Sequence, residues 1–393
     1  KDKVIQDAGQ ESALKQEIFD FLRGDKKTID GLDVDVAGKK NHQRHWLLKD
    51  EVEQNLLENV LPRFDLSKEQ IRRIFDKQKE KYGLYCTLDE IIENPYVLSE
   101  QYVGDGPDDF ISFQMIDHGI LPSPELGEPD YSDFVKDDAR RLRALCVEEL
   151  RSESQHTFLP AKQVINKINH RLSYLPEWKR HDFNAKYLKV DREELDKALE
   201  LKDEKGETYV YLKSNFKFER EIEGILKELA GRKDIQTKRP VTMKQWHDWL
   251  YSSNNPICKL DSERYEEITK EQSMICDKIL RKPLSVVYGE AGTGKTTVVG
   301  AIINAIEASE GKGVCVQLLC PTGKATDRLR ELTGRAASTI HSFLASHKWL
   351  NGNFSFRRDG IVESAVSTVI IDEASMLDLP LLGTLFKAMN WET

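Results

Sequence analysis

The stretch Gly289-Glu290-Ala291-Gly292-Thr293-Gly294-Lys295-Thr296 constrains the fold of this chain more than any other. It fits the pattern G-x-x-x-x-G-K-[ST], with the apolar Ser285-Val-Val-Tyr288 before it and helix-forming residues from Thr297 to Ile306 after it. Strand, glycine loop and helix in that order make a phosphate cradle. The glycines permit the tight turn, and backbone N–H groups converge on a phosphate at the positive end of the helix. In such a loop Lys295 reaches the β- and γ-phosphates, and Thr296 offers its hydroxyl to Mg2+. The expected fold is therefore an α/β P-loop domain with a parallel sheet and crossover helices. Its expected strands are Leu284 to Tyr288, Val314 to Leu319 and Val366 to Ile371.

A second apolar run, Val369-Ile370-Ile371, ends in Asp372-Glu373. Open α/β sheets take their ligands at the carboxyl ends of their strands, so these acids fall where a triphosphate would sit. Asp372 can enter the Mg2+ shell, and Glu373 can accept a proton from an attacking water. Between the two motifs, Cys320-Pro321-Thr322-Gly323-Lys324-Ala325 closes another strand and leads into a helix carrying Arg328 and Arg330. This turn is either an ordinary strand-to-helix connection or a seat for a second phosphate, that of a nucleic-acid backbone. Upstream, Ile268-Thr269-Lys270-Glu271-Gln272 opens a helix whose glutamine could read adenine.

Taken in order, Thr-Lys-Glu-Gln272, Gly-Glu-Ala-Gly-Thr-Gly-Lys-Thr, Pro-Thr-Gly-Lys-Ala, Ser338-Thr339-Ile340-His341 and Ile-Asp-Glu-Ala-Ser-Met-Leu-Asp resemble the RecD-like DNA helicases of superfamily 1. The resemblance covers roughly the last 130 residues. It implies a RecA-like ATPase domain that uses ATP and Mg2+ and moves 5′ to 3′ on single-stranded DNA. It also implies a nucleotide set of Gln272, Gly289, Glu290, Ala291, Gly292, Thr293, Gly294, Lys295, Thr296 and Thr297. Lys295, Asp372 and Glu373 would carry catalysis, and Thr296 and Asp372 the metal. Pro321, Thr322, Gly323, Lys324, Thr339 and His341 would lie along DNA. A DNA strand or junction is thus the implied partner, within repair or recombination. Two other readings stand beside it: a P-loop small-molecule kinase, and an ATP-gated DNA-binding or scaffolding subunit with a degenerate motor.

The rest of the chain is mainly helical by pattern. Residues 1–50 are polar, with one helical patch at Leu14, Ile18, Phe19 and Leu22. Residues 51–155 show apolar positions at helical spacing, and Ser67 with Gln70 forms a capping box. Glu93-Asn-Pro-Tyr-Val-Leu98 followed by Gly104-Asp-Gly106 resembles the helix-hairpin-helix region of long RecD-type helicases. The nearby Asp105, Asp108 and Asp109 oppose a phosphate there, which favours packing over DNA contact. Pro122 to Pro129 reads as a loop. Residues 156–235 read as helices (Pro160 to Leu172, Arg192 to Leu201) and a hairpin turning at Gly206, a winged-helix-like module. Leu212 to Phe218, with basic and aromatic residues interleaved, reads as a strand with one solvated face or as a surface that stacks bases, 236–260 as a linker, and 261–393 as the motor domain.

A net charge of −9 argues against a chain that coats nucleic acid by bulk charge, while leaving room for a local basic groove. The six cysteines lack zinc spacing and read as free, buried thiols. With no membrane-length apolar run and no leader, the expected location is the cytoplasm. The chain opens without methionine and stops at Trp391-Glu392-Thr393, which reads as part of a longer polypeptide lacking its second motor domain.

Overall fold

The computed structural model describes residues 8–29, 36–106, 108–124, 134–153, 156–290, 292–311, 315–350, 356–357 and 359–392. The chain divides into two units, Lys1–Lys213 and Ser214–Thr393.

The first unit opens with α1 (Ala8–Arg23) and α2 (Val36–Leu47). Within this polar stretch Phe21 and Trp46 are buried, and Phe19 lies 5.2 Å from the Trp46 ring. Short helices follow: α3 (Glu51–Asn55), α4 (Lys68–Ile74), α5 (Leu88–Glu93), α6 (Tyr96–Gln101) and α7 (Phe113–Ile120). The capping box forms as read: Ser67 accepts from the Gln70 amide, and the Gln70 side chain accepts from the Ser67 amide. The long α8 (Ala139–Ser152) runs through the core, carrying two buried arginines. Arg141 donates to both oxygens of Asp117 at 2.7 and 3.2 Å, and Tyr96 Oη donates to the same carboxylate at 2.7 Å. Arg143 donates to Glu100 at 2.9 Å.

Next come β1 (Phe158–Pro160), α9 (Ala161–Leu172), α10 (Tyr187–Val190), α11 (Arg192–Leu195), β2 (Leu199–Glu204) and β3 (Glu207–Leu212). The strands form an antiparallel sheet in the order β1-β3-β2. Leu159, Val210 and Leu201 sit in register on its buried face. Lys205 and Gly206 take φ of 52° and 85°, the two-residue turn that suits a twisted hairpin. The helix read from Arg192 to Leu201 stops at Leu195, because Leu199 and Leu201 alternate into this sheet. One hydrophobic core runs from Leu56 to Val210, across the boundary expected near residue 155.

The hairpin at Gly104 is held from within. Gly104 has φ 65°, and Asp109 accepts from the Asp105 amide at 3.0 Å, from Gln70 at 3.2 Å and from Tyr102 Oη at 3.2 Å, with Arg73 paired to it as well. Asp109 thus takes up hydrogen-bonding capacity that a phosphate would need. Pro107 and the greater part of the expected loop from Pro122 to Pro129 lie outside the described residues.

Two expectations fail at the start of the second unit. Beyond Leu212, which closes β3, the run to Phe218 is no strand: α12 (Lys213–Gly231) begins there. Its apolar residues Phe218, Ile222, Ile225 and Leu229 recur at helical spacing and outweigh the short alternation at its start. Residues 236–260 are more than a linker. They contain α13 (Met243–Leu250), started by a Thr242–Gln245 capping box, and α14 (Pro256–Leu260). Trp246 of α13 is fully buried with Leu250.

The rest of the unit is α15 (Ser262–Arg281), α16 (Lys295–Glu310), β4 (Val316–Cys320), α17 (Gly323–Thr333), β5 (Ala337–Thr339), α18 (Ile340–Ser346), β6 (Thr368–Ile371) and α19 (Leu379–Lys387). The strands form a parallel sheet in the order β5-β4-β6. β5 was not foreseen, being three residues long. The expected strand at Leu284 to Tyr288 does not form. Val286 is 81% exposed and Tyr288 93%, and no ladder partner flanks the segment among the described residues. A lone extended strand leaves its backbone groups to water, so periodicity alone cannot secure it. Four of the cysteines are buried, Cys258 is half-buried and Cys315 is exposed, all with free thiols. Among the described residues no helix is long and apolar enough to cross a membrane.

Candidate functional site

The glycine loop is shaped by its own backbone. Gly292 and Gly294 have φ of 83° and 86°, and a Cβ at Gly289 would come within 2.9 Å of Thr293 Oγ1. Thr293 Oγ1 donates to the Glu290 carbonyl at 2.9 Å. Gly294 stands at the N-cap position of α16, and the Val298 amide donates to its carbonyl at 3.0 Å. Lys295 Nζ donates to the carbonyls of Gly289 and Glu290 at 2.7 and 2.9 Å, so the ammonium is folded back over the loop. Ala291 lies outside the described residues.

Gln272 meets this loop from α15. That helix buries Tyr265, Thr269, Ser273 and Cys276, which leaves the neighbouring Gln272 off the buried face. Its Nε2 donates to the Thr293 carbonyl at 3.3 Å and would stand 3.3 Å from a Cβ at Gly294. Two sequence-expected nucleotide residues, far apart in the chain, are therefore adjacent. Thr296 is half-buried and Thr297 exposed in the first turn of α16. Val298 shares a buried cluster with Ile370, and Val299 packs into another with Cys320 and Ala325. These contacts bring the start of α16 to the sheet.

The acids leave the sheet at β6. The Asp372 amide still donates to the Leu319 carbonyl at 2.9 Å, and the Glu373 amide turns back to Asp372 Oδ1 at 3.0 Å. Glu373 has φ 55°, a left-handed conformation that a side chain adopts at a cost. Nothing in the sequence marked that strain. Leu319 pairs with Ile371 and Cys320 with Thr339, so the three strands end level. Pro321, Thr322, Gly323, Lys324, Thr339, Asp372 and Glu373 consequently share one edge of the sheet, and His341 lies in the first turn of α18 beside them. Burial raises the Cys320 thiol pKa, and the nearby charges of Asp372 and Glu373 raise it further.

The expected DNA residues divide by what they already do. Thr322 Oγ1 accepts from the Ala325 amide at 3.3 Å, and Thr339 Oγ1 from the Ser342 amide at 3.1 Å, so both threonines cap helices. Gly323 and Lys324 are exposed, while Pro321 and His341 are half-buried. Arg330 is committed elsewhere, donating through Nε to the Ala337 carbonyl at 2.8 Å and through Nη1 to Asp327 at 3.0 Å.

Among the described residues no cluster of three or more His, Cys, Asp and Glu side chains could cage a metal ion. Thr296 and Asp372 each carry an oxygen donor of the kind Mg2+ takes, an ion that keeps several waters and uses one or two protein oxygens together with phosphate.

Comparison with known proteins adds relatives to this geometry. A family described as an AAA domain matches residues 272–393. The ATP-dependent RecD2 DNA helicase of Deinococcus radiodurans is 27% identical over 258 residues, 64% of this chain and 33% of that protein. The RecBCD enzyme subunit RecD of Haemophilus influenzae is 28% identical over 177 residues, 39% of this chain and 27% of its own length. The ATP-dependent DNA helicase dda of Enterobacteria phage T4 is 37% identical over 105 residues, 26% of this chain and 24% of that protein. The chain spans a third or less of the length of these curated relatives.

Proposed function

We propose that this chain, whose C-terminal part is RecD-like superfamily 1 helicase sequence, belongs to an ATP-driven motor that moves along single-stranded DNA. The observation that carries the proposal is the level ending of β4, β5 and β6. It puts the acids of Asp372 and Glu373 on the same edge as the exposed Gly323 and Lys324. One site then handles nucleotide and strand together, which a small-molecule kinase does not need.

In this reading the loop from Gly289 to Thr296 wraps the phosphates, and Lys295 exchanges its two carbonyl partners for β- and γ-phosphate oxygens. Gln272, already against the loop, orients the adenine. Thr296 and Asp372 would hold Mg2+, and the chemistry it would supply there is neutralisation of charge on the phosphates. Glu373 aligns a water and takes its proton as the γ-phosphoryl group departs. Pro321 to Lys324, Thr339 and His341 follow the DNA backbone.

The motor half is a RecA-like domain that works against a second one, and nucleotide-driven closure between them steps the strand 5′ to 3′. The winged-helix-like module of residues 156–235 is supported over its first part, 156–212, by the helix, strand and hairpin order with β3 between β1 and β2. Residues 51–155 act as a helix-hairpin-helix-like region. The setting is DNA repair or recombination in the cytoplasm.

The test is ATP hydrolysis by the intact polypeptide with and without single-stranded DNA, against a Lys295→Ala blank. DNA should raise the rate well above that blank. A rate equal to the blank would leave a degenerate, ATP-gated DNA-binding subunit, and transfer to a small-molecule acceptor rather than water would leave a kinase.

A further inference from the structure

α17 carries two arginines, and a third follows it, but they are not equivalent. Arg330 bonds the Ala337 carbonyl and Asp327. Arg335 pairs with Glu307 at 2.5 Å. Arg328 is exposed and, among the described residues, has neither a hydrogen-bond nor an ion-pair partner. Lys324, at the start of the same helix, is exposed and without such a partner in the same sense.

The helix fixes how these two cations relate. Thr326 and Leu329 are its buried residues, so Lys324 and Arg328 lie on the outward side. Four residues apart, they are neighbours on one face and are displaced by about 6 Å along the axis. Of the acids nearby, Asp327 is taken by Arg330, and Glu331 makes no ion pair with Arg328. What results is a pair of exposed cations, engaged in no ion pair among the described residues, that starts at the level strand ends and runs outward along α17, with Glu331 the next residue on that face.

We propose that Arg328 binds a backbone phosphate of the DNA strand, one turn of α17 beyond the Pro321 to Lys324 turn. This rests on the helicase reading above and extends its strand path to a residue outside the motifs. A guanidinium suits the role, since its planar fork can hold two phosphate oxygens at once, whereas an ammonium offers only a point charge. The contact reads no base, so it adds affinity without sequence preference.

The test measures binding of a labelled oligothymidylate to the intact polypeptide by fluorescence anisotropy over a series of salt concentrations. Arg328→Ala should weaken binding several-fold at low salt and reduce the magnitude of the salt slope by about 0.7, the loss of one phosphate contact on a single strand. Arg328→Lys should keep the wild-type slope while recovering only part of the affinity. Because Arg328 is exposed and bonds nothing among the described residues, the melting temperature of Arg328→Ala should match wild type. Wild-type affinity and slope in Arg328→Ala, alongside weakened binding by Lys324→Ala, would overturn the proposal and leave the helicase reading standing. Absence of DNA binding by the unsubstituted protein would remove that reading and this proposal with it.

Discussion

Gly294 combines a left-handed backbone with a close neighbour in Gln272 Nε2. An alanine there has to hold a conformation that costs an L-residue about 1–2 kcal/mol and has to push the glutamine aside. Gly294→Ala should therefore weaken ATP binding, measured by titration calorimetry, while far-ultraviolet circular dichroism stays that of wild type. The thiols divide just as sharply. Burial pushes Cys86 up to about 11 and Cys276 up to about 12, and raises Cys146 further, whereas Cys315 is exposed. A thiol reagent at neutral pH should modify Cys315 first and reach the four buried thiols only after denaturant is added. Glu363 gives a pH dependence. The Ala365 amide at 2.7 Å, followed by the His347 ring at 3.0 Å, holds its carboxyl below the usual range. Stability from this depressed acid is present above the ordinary carboxylate range and is lost as pH falls through the folded value. Glu363→Gln should accordingly melt lower than wild type at pH 7, with the gap closing under acid. At this scale the loop was legible, because its glycines and lysine are demanded by geometry that any phosphate cradle shares. The capping duty of Thr322 and Thr339 and the strained backbone of Glu373 were not, since each depends on where a strand stops.

Among elements, α12 was the one most misread. Phe216-Lys217-Phe218 alternates like a strand, yet Phe218 packs on α19, where a Cβ added to Gly383 would lie 2.3 Å from its ring. Lys387 of α19 closes the contact from the other side, 2.9 Å from Glu221 and 4.6 Å over the Phe218 ring. Gly383→Val should lower stability by about 1–3 kcal/mol in denaturant melts, as overpacking does. Adding Phe218→Leu should recover part of that loss, a coupling that distant sites would not show. The segment from Leu284 to Tyr288 failed for a different reason. Its apolar residues are those of a strand, but a strand is defined by its neighbours, and no periodicity within five residues can supply them.

Across the whole molecule, the two units differ in how much of them the sequence announced. The second carries motifs whose chemistry dictates position, so its glycine loop and the strand ending at Asp372 could be anticipated, while β5 and the absence of a strand at Leu284 to Tyr288 could not. The first is organised by partners remote in sequence, above all Asp117 with Tyr96 and Arg141, which no local pattern links. Removing one member of that buried pair strands the other charge. Arg141→Met should cost about 3–5 kcal/mol in the unfolding of the first unit. The claim on which the functional account turns is that Lys295 and Asp372 serve one Mg2+-bound triphosphate. Calorimetric titration of the chain with ATP, with and without Mg2+, tests it most directly. The account predicts Mg2+-dependent binding that Lys295→Ala abolishes and that loses its Mg2+ dependence in Asp372→Asn. Unchanged ATP affinity in Lys295→Ala, or full Mg2+ dependence in Asp372→Asn, would contradict it.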